Sequence, residues 1–208
     1  MFKNMRTIFR VVALSLSCCL SNKAHDLVDI EKVNPAIRLD IRYATANNIT
    51  HKPVYQVAKC YLRKHVAEKL DLVQKDLEEM GYSLVVFDGY RPLSVQKIFW
   101  NLLPDERYVA DPAKGSRHNR ACAVDCKFVK KDGTEVEWPT EFDDFTEKAH
   151  RDYKDLSAEA IRNRELLEQV MTKHGFIGLP TEWWHFDYAD WQNYDILDVD
   201  FADLEVQS

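Results

Sequence analysis

The chain has 208 residues, of which 46% are hydrophobic and 30% are charged, so it can form one domain with a sizeable core. Its net charge is -6, and no basic stripe is present to neutralise phosphates, which argues against a nucleic-acid-binding protein. Beyond residue 20, no stretch is long and apolar enough for a membrane span. These properties predict a single globular domain that binds no nucleic acid.

The first 24 residues have the layout of a secretory signal. Three basic residues precede an apolar run at 11–20, and small and polar residues follow it. This run is too short to span a bilayer as a mature helix, and LSCC at 16–19 is also compatible with a lipid-anchored cysteine. We expect a signal at 1–24, export to the periplasm or cell envelope, and a mature domain at 25–208. The alternative is an amphipathic N-terminal helix on a cytoplasmic protein.

The first elements of the mature chain are expected to be a strand and a helix. AIRLDIRY at 36–43 alternates apolar and polar residues, which predicts a half-buried strand, and a loop with turn-forming residues follows at 44–55. Between Lys59 and Met80, apolar residues fall on one helical face, and Gly81 is a suitable C-cap. The residues of that face are Leu62, Val66, Leu70, Val73 and Leu77.

The middle of the chain predicts two strands and a second helix. A short apolar strand is expected at 82–87, and DGYRP ends it because glycine and proline break regular structure. The second helix runs from about 93 to 103. CAVDCKFV at 122–129 predicts another strand, after which Asp132-Gly133 predicts a hairpin turn into a further short strand within 130–136.

The last third predicts a loop at 138–150, a helix and a strand. Ser157 is expected to cap the helix, which ends near His174. EWWHFDY at 182–188 is strand-like, and we expect the acidic tail from residue 195 to pack little. Because helices and strands are mixed without a βαβ rhythm, the expected fold is α+β, a single domain with helices packed on a small antiparallel sheet.

Two histidines are distinguished by their neighbours. His118 lies in a loop that leads into the strand carrying Asp125, and His185 follows Glu182 by three residues among bulky aromatic side chains. Zinc in a hydrolase usually takes three protein ligands and keeps one position for water. Two histidines and one aspartate would form such a site, and Glu182 would be close enough to act as general base.

The strand geometry constrains which side chains can share this site. Because alternate residues of a strand share a face, Asp125 points to one side while Cys122 and Cys126 point to the other, into the core. A thiolate site built from His118 and these two cysteines is the alternative, and a disulfide at Cys60 is another alternative for an exported protein.

Glu182 and His185 would point to opposite faces of a straight strand. They can reach one metal only if the chain turns between them, and Pro180 and Thr181 favour such a turn. We therefore expect Glu182 at the entrance of the strand.

Five segments resemble the D-alanyl-D-alanine dipeptidases, the VanX type seen in vancomycin resistance. Their order and spacing match from about Ile30 to Tyr188. SRHNRACAVD resembles the family signature S-x-H-x-x-G-x-A-x-D, with Ala121 in place of the signature glycine. The other four segments are RYATANNIT (42–50), FDGYRP (87–92), FDDF (142–145) and EWWHFDY (182–188).

The resemblance implies one zinc ion per chain, whose ligands would be His118, Asp125 and His185. It also implies that Glu182 is the catalytic base and that Arg91 stabilises the tetrahedral intermediate. Three positions match residues that shape the dipeptide pocket, namely Tyr43, Ser116 and Asp143. Of these, Asp143 would face the substrate's ammonium group.

The implied activity is zinc-dependent hydrolysis of D-alanyl-D-alanine in peptidoglycan precursor or cell-wall turnover, with the dipeptide as partner. Two alternatives stay open. One is a related zinc D,D-carboxypeptidase or endopeptidase, which would need an open cleft, and the other is a non-catalytic binding protein with a structural metal. If the signature glycine needs a positive φ, Ala121 costs on the order of 1 kcal/mol there.

Overall fold

The computed structural model describes residues 26–205, so the expected signal at 1–24 lies outside the described residues. The strands are β1 (Leu27–Asp29), β2 (Arg38–Leu39), β3 (Tyr61–Arg63), β4 (Tyr82–Asp88), β5 (Ala123–Lys130), β6 (Phe176–Gly178) and β7 (His185–Tyr188). The helices are α1 (Ile30–Val33), α2 (Lys64–Glu79), α3 (Leu93–Leu102), α4 (Ala158–Lys173) and α5 (Phe201–Glu205).

Five strands form the main sheet, in the order β2-β4-β5-β7-β6. The pairs β4–β5, β5–β7 and β6–β7 are antiparallel, whereas the two-residue edge strand β2 runs parallel to β4. Strands β1 and β3 form a separate antiparallel pair. The α+β fold predicted from the sequence is confirmed, with one short parallel pair added to the expected antiparallel sheet.

The two long helices follow the predicted patterns. Helix α2 packs on β4 and buries the apolar face predicted for it, although it begins at Lys64 because the preceding three residues pair with β1. Helix α4 begins as expected after Ser157, whose hydroxyl accepts a hydrogen bond from the Ala160 backbone N–H at 3.0 Å. That bond satisfies one of the N–H groups that a helix start leaves without an internal partner.

Two predicted strands are shorter than expected or absent. Within 36–43 only β2 pairs, because the chain leaves the sheet and forms a 3-10 turn at Arg42–Ala44. Asp132 and Gly133 do form a turn, but the residues that follow it, up to Val136, form no strand. Strands β1, β3 and β6, each of three residues, carry no pattern long enough to predict them.

The expectation that the acidic tail packs little is wrong. Leu197, Phe201 and Leu204 are at most 5% exposed and join the hydrophobic core. The Leu197 backbone N–H donates to the Asn119 carbonyl at 2.8 Å, so the tail is fixed against the loop that carries His118. Among the helices of residues 26–205, none combines the length and apolar character needed to cross a bilayer.

Candidate metal centre and substrate pocket

His118, Asp125 and His185 converge although up to 67 positions separate them in the sequence. Asp125 in β5 lies directly opposite His185 in β7, and the 3-10 turn that begins at His118 lies just before β5. Nε2 of His118 is 3.1 Å from Nδ1 of His185, which is 3.0 Å from Oδ1 of Asp125. All three side chains are buried, and one ligand atom from each lies within 4.8 Å of the others.

The outer nitrogens of both imidazoles have partners, which orients the rings. Nδ1 of His118 is 2.7 Å from the Gly89 carbonyl oxygen, and Nε2 of His185 is 2.9 Å from Oδ1 of Asp187. The remaining nitrogens face the shared centre. A histidine that binds a metal typically gives its other N–H to a carboxylate or carbonyl in this way.

The charges at the centre favour a bound cation. Although burial lowers it, Asp187 and Asp125 raise the pKa of His185 to about 10. Burial opposes ionisation of Asp125, yet contacts with His118 and His185 hold its pKa well below the ordinary range. The site thus attracts positive charge at a point ringed by nitrogen and oxygen donors, and this donor set fits a divalent metal ion.

Glu182 stands beside this centre. As expected, it lies in a turn before β7, where its N–H donates to the Leu179 carbonyl and its carbonyl accepts from the His185 N–H. Its Oε2 is 3.9 Å from Nδ1 of His185, whereas its buried Oε1 has no hydrogen-bond partner among the described residues. Burial, with smaller contributions from Asp125 and Asp143, raises the pKa of Glu182 to about 8.

Arg91 is held in a buried network that the sequence did not reveal. Its Nε and Nη2 donate to Oδ2 of Asp88 at 3.0 and 2.8 Å, and its Nη1 donates to the Gln96 side chain at 2.9 Å. Asp88 also accepts a hydrogen bond from the Tyr55 hydroxyl at 2.8 Å. Nη2 of Arg91 is 3.9 Å from Oδ2 of Asp125, which places the guanidinium at the edge of the metal centre.

The three residues matched to substrate contacts lie nearby. The Tyr43 hydroxyl donates to Oδ1 of Asp143 at 3.1 Å, while the buried Oδ2 has no hydrogen-bond partner among the described residues. Burial, followed by the charge of Asp125, raises the pKa of Asp143 to about 7. Ser116 Oγ accepts from the His118 N–H at 3.2 Å and so supports the ligand loop, which is the segment 116–121 that carries His118.

One cavity brings these side chains together. The space inside it, with the open mouth included, is about 670 Å³. The eight residues singled out from the sequence all line it, and they are Tyr43, Arg91, Ser116, His118, Asp125, Asp143, Glu182 and His185. The lining also includes charged residues that the sequence did not single out, namely Glu106, Arg107 and Arg117.

The cysteine alternatives do not match the structure. Cys60, Cys122 and Cys126 are buried and free, so no disulfide joins Cys60 to another cysteine of residues 26–205. Burial raises the pKa of all three thiols, that of Cys122 to about 12. Neither cysteine of β5 and its approach belongs to the group of converging ligand atoms.

A centre of two imidazoles and one carboxylate leaves coordination positions for water, and a neighbouring carboxylate can take a proton from that water. Fold and site together define a metal-dependent hydrolase. Comparison with known families gives the class: a profile of peptidase family M15, described as D-Ala-D-Ala dipeptidase, matches residues 23–206. The chain belongs to this family of metallopeptidases.

The curated relatives that this chain matches include two bacterial proteins with the name D-alanyl-D-alanine dipeptidase. The protein of Escherichia coli K12 is 35% identical over 85% of this chain and 92% of its own length. The protein of Enterococcus faecalis is 29% identical over 77% of this chain and 90% of its own length. Among solved structures, the LdcB LD-carboxypeptidase is 20% identical, covers 79% of this chain and 68% of its own, and has a TM-score of 0.47.

Ala121 adopts the conformation that glycine would favour at this position. It follows the 3-10 turn of His118–Arg120 with φ 56° and ψ 34°, in the left-handed region. Its backbone N–H donates to the His118 carbonyl, and its side chain is fully buried. The departure from the family signature therefore leaves the ligand loop in its turn and places strain of about 1 kcal/mol in the backbone.

Proposed function

We propose that the protein is a zinc-dependent dipeptidase that hydrolyses D-alanyl-D-alanine in peptidoglycan precursor or cell-wall turnover. The observation that carries the proposal is the unpartnered Oε1 of Glu182 beside the centre formed by His118, Asp125 and His185. An unpartnered buried carboxylate oxygen costs free energy unless a ligand or water meets it, so it suits a group that receives a proton during a reaction. The two dipeptidase relatives support the substrate.

The metal is proposed to be zinc, because two imidazoles and one carboxylate form a ligand set that zinc hydrolases use. Zinc, when bound, would polarise the scissile carbonyl and lower the pKa of the attacking water. Glu182 takes a proton from that water as the water oxygen forms a bond to the carbonyl carbon. Glu182 then delivers the proton to the leaving nitrogen as the C–N bond breaks, and two molecules of D-alanine result.

Arg91 is proposed to stabilise the negative charge that develops on the carbonyl oxygen. Its ion pair with Asp88 and its contact with Gln96 fix the guanidinium before substrate arrives. A donor that is already in place need not reorganise during the reaction, which makes its charge more effective. The aromatic rings of Tyr43 and Phe99, 5.1 and 4.9 Å from the guanidinium carbon, complete its enclosure.

Asp143 is proposed to bind the ammonium group of the dipeptide through its unpartnered Oδ2. The Tyr43 hydroxyl orients this carboxylate through the other oxygen, and Ser116 lies on the wall formed by the ligand loop. Binding a charged N-terminus one residue from the scissile bond would exclude peptides that are extended at the N-terminus, since they have no ammonium group at that position.

The test is hydrolysis of D-alanyl-D-alanine by purified protein whose metal content has been measured. D-Alanine release should stop when a chelator removes the metal and return when zinc is added. Glu182→Gln should keep the metal and lose about 100-fold or more in kcat. Full activity of this variant with zinc bound would remove Glu182 from the mechanism.

The same assay separates the alternatives. Faster cleavage of a peptidoglycan pentapeptide than of the dipeptide would indicate a D,D-carboxypeptidase or endopeptidase. Tight zinc binding without hydrolysis of either peptide would indicate a non-catalytic protein with a structural metal.

We also propose that residues 1–24 direct export to the periplasm or cell envelope, where the enzyme would act on cell-wall peptides. The support is the basic start and the apolar run of this segment. Fractionation of cells that express the full chain, with mass measurement of the mature protein, tests the proposal. A chain that begins at residue 25 is the control and should stay in the cytoplasm, and equal distribution of both chains would contradict export. Labelling with a radioactive fatty acid would identify a lipid-anchored cysteine.

A further inference from the structure

The cavity holds three arginines, and they differ in how far their donors are already used. Arg91 donates from three nitrogens to Asp88 and Gln96. Arg107 is paired with both carboxylate oxygens of its neighbour Asp105, and its side chain is 71% exposed. Within the described residues, Arg117 makes one ion pair, from its Nε to Oδ2 of Asp187 at 3.4 Å, and makes no side-chain hydrogen bond.

Arg117 is nevertheless held in a defined place. Its guanidinium carbon lies 4.6 Å from the centre of the Trp191 ring, which provides a cation–π platform, and its Nε is buried. The side chain is 40% exposed and lines the cavity next to Ser116. A guanidinium has five donors in a planar fork, so most of those of Arg117, which lines the cavity, have no partner among the described residues.

A dipeptide presents one ammonium and one carboxylate group, and a pocket that selects it needs two separate charged receptors. Asp143 supplies the negative one under the proposed function. Arg117 and Asp143 both line the cavity, yet no ion pair joins them among the described residues, so neither neutralises the other. The fork of donors on arginine matches the two oxygens of a carboxylate.

We propose that Arg117 is the receptor for the free C-terminal carboxylate of the substrate and restricts the enzyme to peptides that end at the residue after the scissile bond. The proposal rests on the proposed dipeptidase function. It assigns specificity to a residue of the ligand loop that binds no metal, beside His118. Ser116, the preceding residue, has a hydroxyl that can donate to the same carboxylate, because its oxygen accepts from the His118 N–H.

The experiment compares D-alanyl-D-alanine with D-alanyl-D-alaninamide, which has the same shape but no carboxylate charge. Arg117→Ala should lower kcat/KM for the dipeptide about 30-fold, mainly through KM, which is about 2 kcal/mol at 1.4 kcal/mol per tenfold change. The amide should lose less than about threefold, since it never paired with the guanidinium. Arg117→Lys should recover part of the loss, because lysine keeps the charge without the fork.

Arg107→Ala is the matched control, because it removes the other exposed arginine of the same cavity. It should leave unchanged the ratio of kcat/KM for D-alanyl-D-alanine to kcat/KM for its amide. Binding of both compounds to zinc-loaded Glu182→Gln protein, with and without Arg117→Ala, gives the same ratio without turnover. The zinc content of every variant is measured in parallel.

An equal loss on acid and amide would overturn the proposal and would indicate that Arg117 acts through Asp187 on His185. A change of ratio in Arg107→Ala and not in Arg117→Ala would assign the carboxylate to Arg107 instead. If the wild-type protein hydrolyses the dipeptide, and both Arg117→Ala and Arg107→Ala keep the wild-type ratio of kcat/KM between acid and amide, the inference alone fails. If zinc-loaded wild type neither hydrolyses nor binds the dipeptide, the proposed function fails and the inference falls with it.

Discussion

The floor of the cavity and its rim differ in how far their charged side chains are exposed and how firmly they are held. On the floor, His118, Asp125 and Arg91 are at most 7% exposed, and strand pairing or short hydrogen bonds position each of them. On the rim, Arg107 and Arg117 are 71% and 40% exposed. A buried charge must be paired to be tolerated, whereas an exposed one can wait for a ligand. The floor is therefore suited to fixed chemistry. On the rim, Arg107 is already paired with Asp105, so selection of the substrate is assigned to Arg117.

The largest effect is expected from substitution of Arg91 on the floor. Arg91→Lys keeps a positive charge but cannot donate to Asp88 and Gln96 in the same fork, so the ammonium would be misplaced for the developing oxyanion. We expect kcat/KM to fall about 100-fold or more, and the free energy of unfolding to fall by about 1.5–3 kcal/mol. Steady-state kinetics and denaturant unfolding measure the two effects.

Arg107→Lys at the rim is the control for this prediction, because it makes the same exchange on an exposed side chain. Its unfolding free energy should stay within about 0.5 kcal/mol of wild type. Similar losses in the two variants would contradict the distinction between floor and rim.

A smaller effect is expected at Asp187, which does not line the cavity but contacts His185. Asp187 accepts from Nε2 of His185 at 2.9 Å and thereby orients the ring. Asp187→Ala should weaken zinc binding about 10- to 100-fold, and Asp187→Asn should weaken it less because the amide oxygen can still accept. Competition with a chromogenic chelator measures both affinities. An alanine variant that binds zinc as tightly as wild type would show that β7 alone orients His185.

Ala121 tests how much strain the floor tolerates. Ala121→Gly relieves about 1 kcal/mol of left-handed backbone strain but removes a buried methyl group that contributes about 0.8 kcal/mol. The free energy of unfolding should therefore change little. Ala121→Val adds a branched side chain at φ 56° in a fully buried position and should destabilise the fold by about 1–3 kcal/mol or more. Urea midpoints would compare the three proteins, and a stable valine variant would contradict the geometry at this residue.

The smallest effect concerns a cluster of three residues that do not line the cavity. Lys173 and His174 hydrogen-bond to Asp76 and lower its pKa. Because the folded pKa lies below the unfolded one, this stabilisation is present above about pH 4 and disappears as the pH falls through the folded value. Asp76→Asn should cost less than about 1 kcal/mol at pH 7, with the difference from wild type vanishing in acid. A difference that persists at low pH would exclude this charge effect.

The sequence predicted burial better than it predicted hydrogen bonding. Ile37, Ile41 and Tyr43 are buried as the alternation at 36–43 indicated, although only β2 joins the sheet. A period of two reports which side chains face the core and says nothing of where the backbone turns away. The sequence does not reveal the packing of the tail, because its acidic residues obscure the helix-like spacing of its apolar ones.

At the site, the sequence could identify reactive groups but not most of their supports. Asp88 pairs with Arg91 and also accepts a hydrogen bond from Tyr55, 33 positions away, and only the folded chain brings Tyr55 and Asp88 together. Asp187 could have been found, because it lies two residues after His185 and a strand places such residues on one face. Arg117 could not have been found in this way, since its proposed role in binding a carboxylate depends on which other charges in the cavity are already paired.

The thiols of Cys60, Cys122 and Cys126 are buried in the folded protein, which shields them from oxidants. Their raised pKa values keep them as unreactive SH groups, whereas an unfolded chain would expose them with ordinary acidity. If the chain is exported into an oxidising compartment, folding and disulfide formation therefore compete for the same residues. Rapid burial of β5 would then decide how much active enzyme accumulates, and the rate at which a thiol reagent labels these three positions would report how often the core opens.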